Sequence, residues 1–263
     1  MDNSGRRPPS PPPSPPASSA EVAPQSLPGE VAELVGELSE TTSPSRRRRL
    51  TQAIARLAGR SGRLGWHSVQ SGVRWLTAEV LAMAPRVPVR DLETLRAQFP
   101  GLPPEDLAEA LIQGSARAAA GVGAAAGAAM VLPLPAAPVE IAVETLALVG
   151  IELKLVAELH EVYGMRAPGT TTDRMLAYLG AWSHRRGVAL APTGVILAVG
   201  SPLRRRLQRR LIARAGRSAT SLGPLLTGAV VGAALNRRET RRLGHDVRED
   251  LRRRSPYTTH WSG

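Results

Sequence analysis

Residues 108–164 read "AEALIQGSARAAAGVGAAAGAAMVLPLPAAPVEIAVETLALVGIELKLVAELHEVYG", and this stretch decides the fold. Pro103 and Pro104 stand just ahead of it, where a missing backbone N–H leaves no intrahelical bond unmade. The pattern predicts a helix from there to about Val131. "LPLPAAP" breaks it, and Pro138 opens a second helix that reaches about Tyr163. Together they read as a helical hairpin. Residues 118–139 are 22 uncharged positions in a row. Pro133 and Pro135 leave only about 14 of them in one helix, roughly 21 Å at ~1.5 Å per residue, short of a hydrocarbon core of ~30 Å. Alanine and glycine add little to insertion. The returning helix carries Glu140, Glu144, Glu152, Lys154 and Glu158. At about 100° per residue, Glu140, Glu144, Lys154 and Glu158 share one stripe, which predicts a wet face on an otherwise apolar helix.

The other apolar stretches are shorter. Residues 225–235 would extend roughly 16 Å, and Pro192 interrupts 188–199. None is a convincing solitary span; each suits a packed helical core or a shallow, re-entrant insertion.

Composition agrees with helices. The chain has 263 residues, a formal charge of +12, no cysteine, and only four Trp, three Tyr and one Phe. Disulfides and thiolate metal sites are excluded, and a reducing compartment fits. A core built from Leu, Val, Ile and Ala favours close-packed helices over sheets. Of the 34 basic residues, Lys154 alone is lysine. This arginine bias, with much Ala, Gly and Pro, partly reflects a GC-rich genome and is weak functional evidence by itself.

Residues 1–28 hold nine prolines and read as a disordered or polyproline tail without a secretory core, so no export is expected. A single helical domain is expected over 29–254, with a flexible end at 255–263. Within it, 28–40 forms a short acidic helix. Ser43 or Ser45 caps a basic segment whose continuity Gly59, Gly62 and Gly65 weaken. Asp91 starts a short helix that Pro100 ends. Further helices lie near 172–186 and at 224–254, and no alternating strand pattern of useful length appears.

Gly123 and Gly127 are four apart, as are Gly228 and Gly232, which lets backbones approach closely in a membrane or in an alanine-rich core. Residues 203–217 form a basic helix capped by Ser201. Leu203, Leu207 and Leu211 lie on one face, with Arg204, Arg205, Arg206, Arg209, Arg210, Arg214 and Arg217 around it. Such a helix could lie on anionic lipid, pack on its own domain through the leucines, or meet nucleic acid. Base-stacking aromatics are not interleaved with it.

A search for chemistry returns little. His67, His160, His184, His245 and His260 have no partners at metal-ligand spacing, and "ELHEVYG" lacks the second histidine of a zinc-protease motif. Glu140 and Glu144 are the carboxylate pair in an apolar setting. They could hold a cation or a proton; an exposed stripe, or pairing with arginine from another helix, is the plainer reading. No phosphate-binding loop or nucleophile elbow occurs, and no cofactor is implied.

Two stretches resemble the EcsC family. Residues 108–164 are similar to its central region, in which a small-residue helix passes through a Leu-Pro turn into an apolar helix ending in Tyr163 and Gly164. "GPLLTGAVVGAALNRRETRRLG" is similar to its closing segment, with Pro224, Gly228, Gly232 and Asn236. The resemblance covers about 108–251. An acid often follows the Tyr-Gly pair in the family; Met165 and Arg166 stand there in this chain. The resemblance implies a helical, membrane-associated protein and no defined activity. The expectation is therefore an all-α, non-enzymatic protein. It would bind anionic lipid or a membrane protein at the cytoplasmic face, peripherally or by shallow insertion. The rival is a soluble scaffold or nucleic-acid-binding protein whose hairpins are core.

Overall fold

Helix α6, Ala137–Val162, organises the molecule. In the computed structural model, which describes residues 26–61, 69–128, 137–191, 194–197 and 223–255, every residue of α6 from 142 to 159 is buried. The helices around it are α1 (Leu27–Glu40), α2 (Pro44–Ser61), α3 (Val69–Met83), α4 (Leu92–Gln98), α5 (Pro104–Ala128), α7 (Thr171–Arg186) and α8 (Gly223–Arg254). A 3₁₀ turn, Ala84–Arg86, follows α3. The fold class is all-α. The one non-helical element among the described residues is an antiparallel hairpin of β1 (Val188–Ala191) and β2 (Gly194–Leu197), pairing Val188 with Leu197 and Ala191 with Gly194. Four residues are too few for alternation to register in sequence.

Local chemistry sets the helix ends. Asp91 caps α4 by accepting from Thr94 N at 2.9 Å. Ser43 Oγ accepts from Arg46 N at 3.4 Å, with Pro44 opening α2. Thr170 and Asp173 form a reciprocal capping box on α7, which Gly187 ends at φ 61°, a left-handed turn that glycine adopts without a Cβ clash. Gly59 lies within α2, whereas Gly62 and Gly65 lie outside the described residues.

Helix α5 runs antiparallel to both α6 and α8. Tyr163 of α6's C-terminal end reaches Glu105 at the start of α5, and Arg248 of α8 reaches Glu109. Helices α6 and α8 run parallel, since Asn236 meets Glu144 and Ser255 meets Tyr163, each 92 residues apart. At the α5–α8 contact, a Cβ on Gly123 would clash with the Gly232 carbonyl and lie 2.6 Å from Asn236 Nδ2. Glycine is required there by close backbone approach.

Three expectations change. The stripe on α6 is not wet: Glu144, Lys154 and Glu158 are 5%, 0% and 1% exposed. Other helices surround α6 on every side, so its charges face partners instead of water. Helix α1 begins at Leu27, so the last two residues of the expected tail, Leu27 and Pro28, are helical, while residues 1–25 lie outside the described set. Ser255, placed in a flexible end, is buried and donates to the Tyr163 carbonyl at 3.2 Å. Among the described residues, no helix is long and apolar enough to cross a membrane.

Candidate functional site

The polar residues of α6 form three interior clusters. In the first, Lys154 Nζ donates to Glu158 Oε1 at 2.7 Å and to the Pro88 carbonyl at 2.6 Å, and lies 3.0 Å from Glu40. Arg90, between the 3₁₀ turn and α4, grips the same carboxylate by a fork, Nε to Oε1 at 2.8 Å and Nη2 to Oε2 at 2.7 Å. Burial alone would push the Glu158 carboxyl up. The hydrogen bonds and positive charges of Arg90 and Lys154 outweigh it and hold the group below the usual carboxylate range.

The second cluster centres on Glu152, 2% exposed. Trp182 Nε1 donates to it at 2.9 Å, Arg186 Nε at 3.0 Å and Thr240 Oγ1 at 3.0 Å, and Arg186 Nη2 also bonds it. Arg186 then bridges to α8 through Glu239. The carboxylate thereby joins α6, α7 and α8. Both clusters are buried charges matched by opposite charge and hydrogen bonds, the condition under which they are tolerated in a core. Their carboxylate oxygens are engaged by fixed donors, which makes them ties between helices and poor proton-transfer groups.

The third cluster contains Glu144. Asn236 Nδ2 donates to its Oε1 at 3.3 Å, and Asn236 is fully buried. Thr145 is buried one position on. The side chain of Glu140 lies outside the described residues, so the proposed Glu140–Glu144 pair is represented by Glu144 alone. His160 does face away from these clusters. It stacks on Tyr178 at 4.7 Å with Nδ1 at 2.7 Å from the Val156 carbonyl, and burial holds its pKa below the ordinary value. Among the described residues no group of three or more His, Cys, Asp or Glu could hold a metal ion.

Arg90, Arg186, Trp182 and Thr240 were not singled out by sequence. Their partners on α6 were visible as charges in an apolar helix, but nothing local marks which distant arginine answers each one. Arg166, at the place where an acid was expected after Tyr163–Gly164, pairs with Glu161 at 2.5 Å.

The outward residues differ in kind. Arg48, Arg49, Arg56, Arg117, Arg237, Arg238 and Arg242 are exposed and make no ion pair among the described residues. Val230 and Val231 on α8 are 67% and 55% exposed. The basic segment Arg204, Arg205, Arg206, Arg209, Arg210, Arg214 and Arg217 lies outside the described residues, as do the side-chain surroundings of Gly127 and Gly228. Comparison with family models, curated proteins and solved structures finds no match.

Proposed function

We propose that the chain is a non-enzymatic helical protein that associates with an anionic membrane surface, or with a protein there, on the cytoplasmic side. The observation that carries this reading is the exposed Val230–Val231 step on α8, followed two turns later by the exposed, unpaired Arg237 and Arg238. Apolar residues beside outward arginines suit a surface with acyl chains below and anionic headgroups above. The basic segment 203–217 precedes this helix in sequence and would add headgroup contacts. The EcsC resemblance over residues 108–251 supports the same reading. The burial of α6 supports a reading in which any insertion would involve the exposed start of α8 and not the body of α6.

Flotation tests this. Full-length protein should rise with vesicles of phosphatidylglycerol and phosphatidylcholine at low salt, and Val230→Asp/Val231→Asp should weaken that association. Protein that stays at the bottom with every anionic composition ends the proposal. Tight, salt-steep binding to duplex DNA in its place would favour the nucleic-acid alternative.

A further inference from the structure

We infer that the protein meets an anionic bilayer end-on, through the end of the bundle where α8 begins, with Arg48, Arg49, Arg117, Arg237 and Arg238 as a band at headgroup height behind that tip. The inference rests on the membrane reading and adds an orientation and a depth to it. Helix register sets the heights. Arg248 bonds Glu109 at 2.9 Å, and further along α5 a Cβ on Gly123 would lie 2.6 Å from Asn236 Nδ2. Arg237 and Arg238 follow Asn236 directly, so they stand level with the α5 turn that holds Gly121 and Gly123. A Cβ on Gly121 would meet Thr51 Oγ1 at 3.0 Å and Arg47 Cγ and Cδ at 3.9 Å. Arg48 and Arg49 come next in α2 and stay within one helical turn of that height whatever the tilt of α2. Arg117 is one turn before Gly121 on α5. Gly121 and Gly123 point roughly 160° apart around the helix, so α2 and α8 flank α5 and the band crosses all three.

Charge and covering both change at this band. The acids of α5 are Glu105, Asp106 and Glu109, and none follows up to Ala128. Helix α2 has no acid, and α8 has none before Glu239. The five arginines are exposed and make no ion pair among the described residues. On the tip side, residues 229–235 of α8 read "AVVGAAL" and none is buried. From the band onward the same helix is packed, with Asn236, Thr240, Leu243 and Val247 buried. Val230 precedes Arg237 by about 10 Å at ~1.5 Å per residue. That matches the ~5–10 Å to which an apolar segment enters the boundary between headgroups and acyl chains. An uncovered apolar tip ahead of unpaired guanidinium groups fits acyl chains below anionic headgroups. A nucleic-acid backbone would answer the arginines and leave the valines in water.

The chain has no cysteine, so a single fluorophore can be placed at a chosen site. Full-length Val230→Cys, Gln52→Cys and Arg253→Cys, each labelled with nitrobenzoxadiazole, are mixed with vesicles of phosphatidylcholine and phosphatidylglycerol. Gln52 is exposed beside Arg48 and Arg49, and Arg253 is exposed roughly 22 Å beyond Arg238 along α8. Nitroxides on the acyl chains should quench the label at 230, nitroxides on the headgroups the label at 52, and neither the label at 253. Arg48→Gln/Arg49→Gln and Arg237→Gln/Arg238→Gln should each weaken vesicle affinity by about tenfold or more. Arg252→Gln/Arg253→Gln loses equal charge more than two Debye lengths (~8 Å each) away and should stay within about twofold. Every substituted residue is exposed, so far-ultraviolet dichroism should match the wild type.

The outcomes separate this inference from the reading beneath it. Vesicle binding with the label at 230 unquenched, or with the labels at 230 and 253 quenched alike, overturns the end-on orientation and leaves membrane association standing. Equal losses of affinity in the band pairs and the far pair do the same. Failure of the unlabelled wild-type protein to bind any anionic vesicle overturns both. Binding to duplex DNA in place of vesicles, weakened by the band pairs, assigns the arginines to nucleic acid and also overturns both.

Discussion

Replacing Glu158 with leucine should be among the most destabilising single changes in the molecule. The carboxylate answers two cations at once, Lys154 at 2.7 Å and the Arg90 fork at 2.7 and 2.8 Å. Lys154 has no exposed surface, and its remaining carboxylate, Glu40, is itself 37% exposed. Removing one partner of a buried ion pair leaves uncompensated charge and costs roughly 3–5 kcal/mol. Against a total stability of about 5–15 kcal/mol, that approaches unfolding. Lys154→Met should cost less, about 2 kcal/mol, because Glu158 keeps the Arg90 fork and the main loss is the donor to the Pro88 carbonyl. The double variant should cost no more than Glu158→Leu alone, a coupling of about 2 kcal/mol. Urea unfolding followed by dichroism reads this directly. With a slope near ~2 kcal/mol/M, Glu158→Leu should lower the midpoint by about 2 M. The pH dependence gives a second readout. Glu158 titrates lower in the folded chain than in the unfolded one, so its contribution is present above about pH 4.3 and is lost as pH falls through the lower folded value. Glu158→Leu should therefore flatten the acid side of the stability curve. A midpoint shift under about 0.5 M, or simple addition of the two single costs, would refute the idea that this cluster acts as one buried unit.

Other outcomes follow from the same geometry. Gly123→Ala should destabilise by about 1–3 kcal/mol, since α5 and α8 would have to separate at Gly232, whereas Gly180→Ala, helical and open on all sides, should stabilise by about 0.5–1 kcal/mol; thermal unfolding of the pair checks both signs. His160 is held neutral by burial in the folded chain, so its contribution is complete above about pH 6.5 and declines as pH falls from there through the lower folded value. His160→Phe should lessen that decline in urea titrations across the same range. Asp91→Ala removes the cap on α4 and should lower the thermal midpoint, with loss of protection at the Thr94 amide in hydrogen exchange.

Much of the helical frame was legible because it rests on local chemistry. Asp91 and Pro104 punctuate the chain whatever surrounds it, and α4 and α5 start where expected, while the expected proline break after Val131 lies outside the described residues. The charges on α6 were legible as a stripe but misread as wet. Periodicity says that Glu144, Lys154 and Glu158 share a face; it does not say what covers that face. The missing information is non-local: Arg90 lies 68 residues before Glu158, and Asn236 lies 92 after Glu144. A lysine and several glutamates inside an otherwise apolar, alanine-flanked helix were the available signal, since a helix that apolar could have been central and its charges paired.

The same sorting gives the arginines a meaning that composition withheld. A basic excess in a GC-rich chain is weak evidence while every arginine counts alike. The fold divides them by role. Arg90 and Arg186 are drawn inward and neutralised on α6 carboxylates. Arg46, Arg248 and Arg254 meet acids at the surface, where such pairs contribute little. Arg117, Arg237, Arg238 and Arg242 are left outward without acids. Interior pairing consumes Glu152 and Glu158, the carboxylates that could have offset that last group. Among the described helices the positive charge is thus expressed most strongly on α2 and α8. A surface built in this way favours a polyanionic partner, and the membrane proposal rests on that distribution of charge and not on the count of arginines.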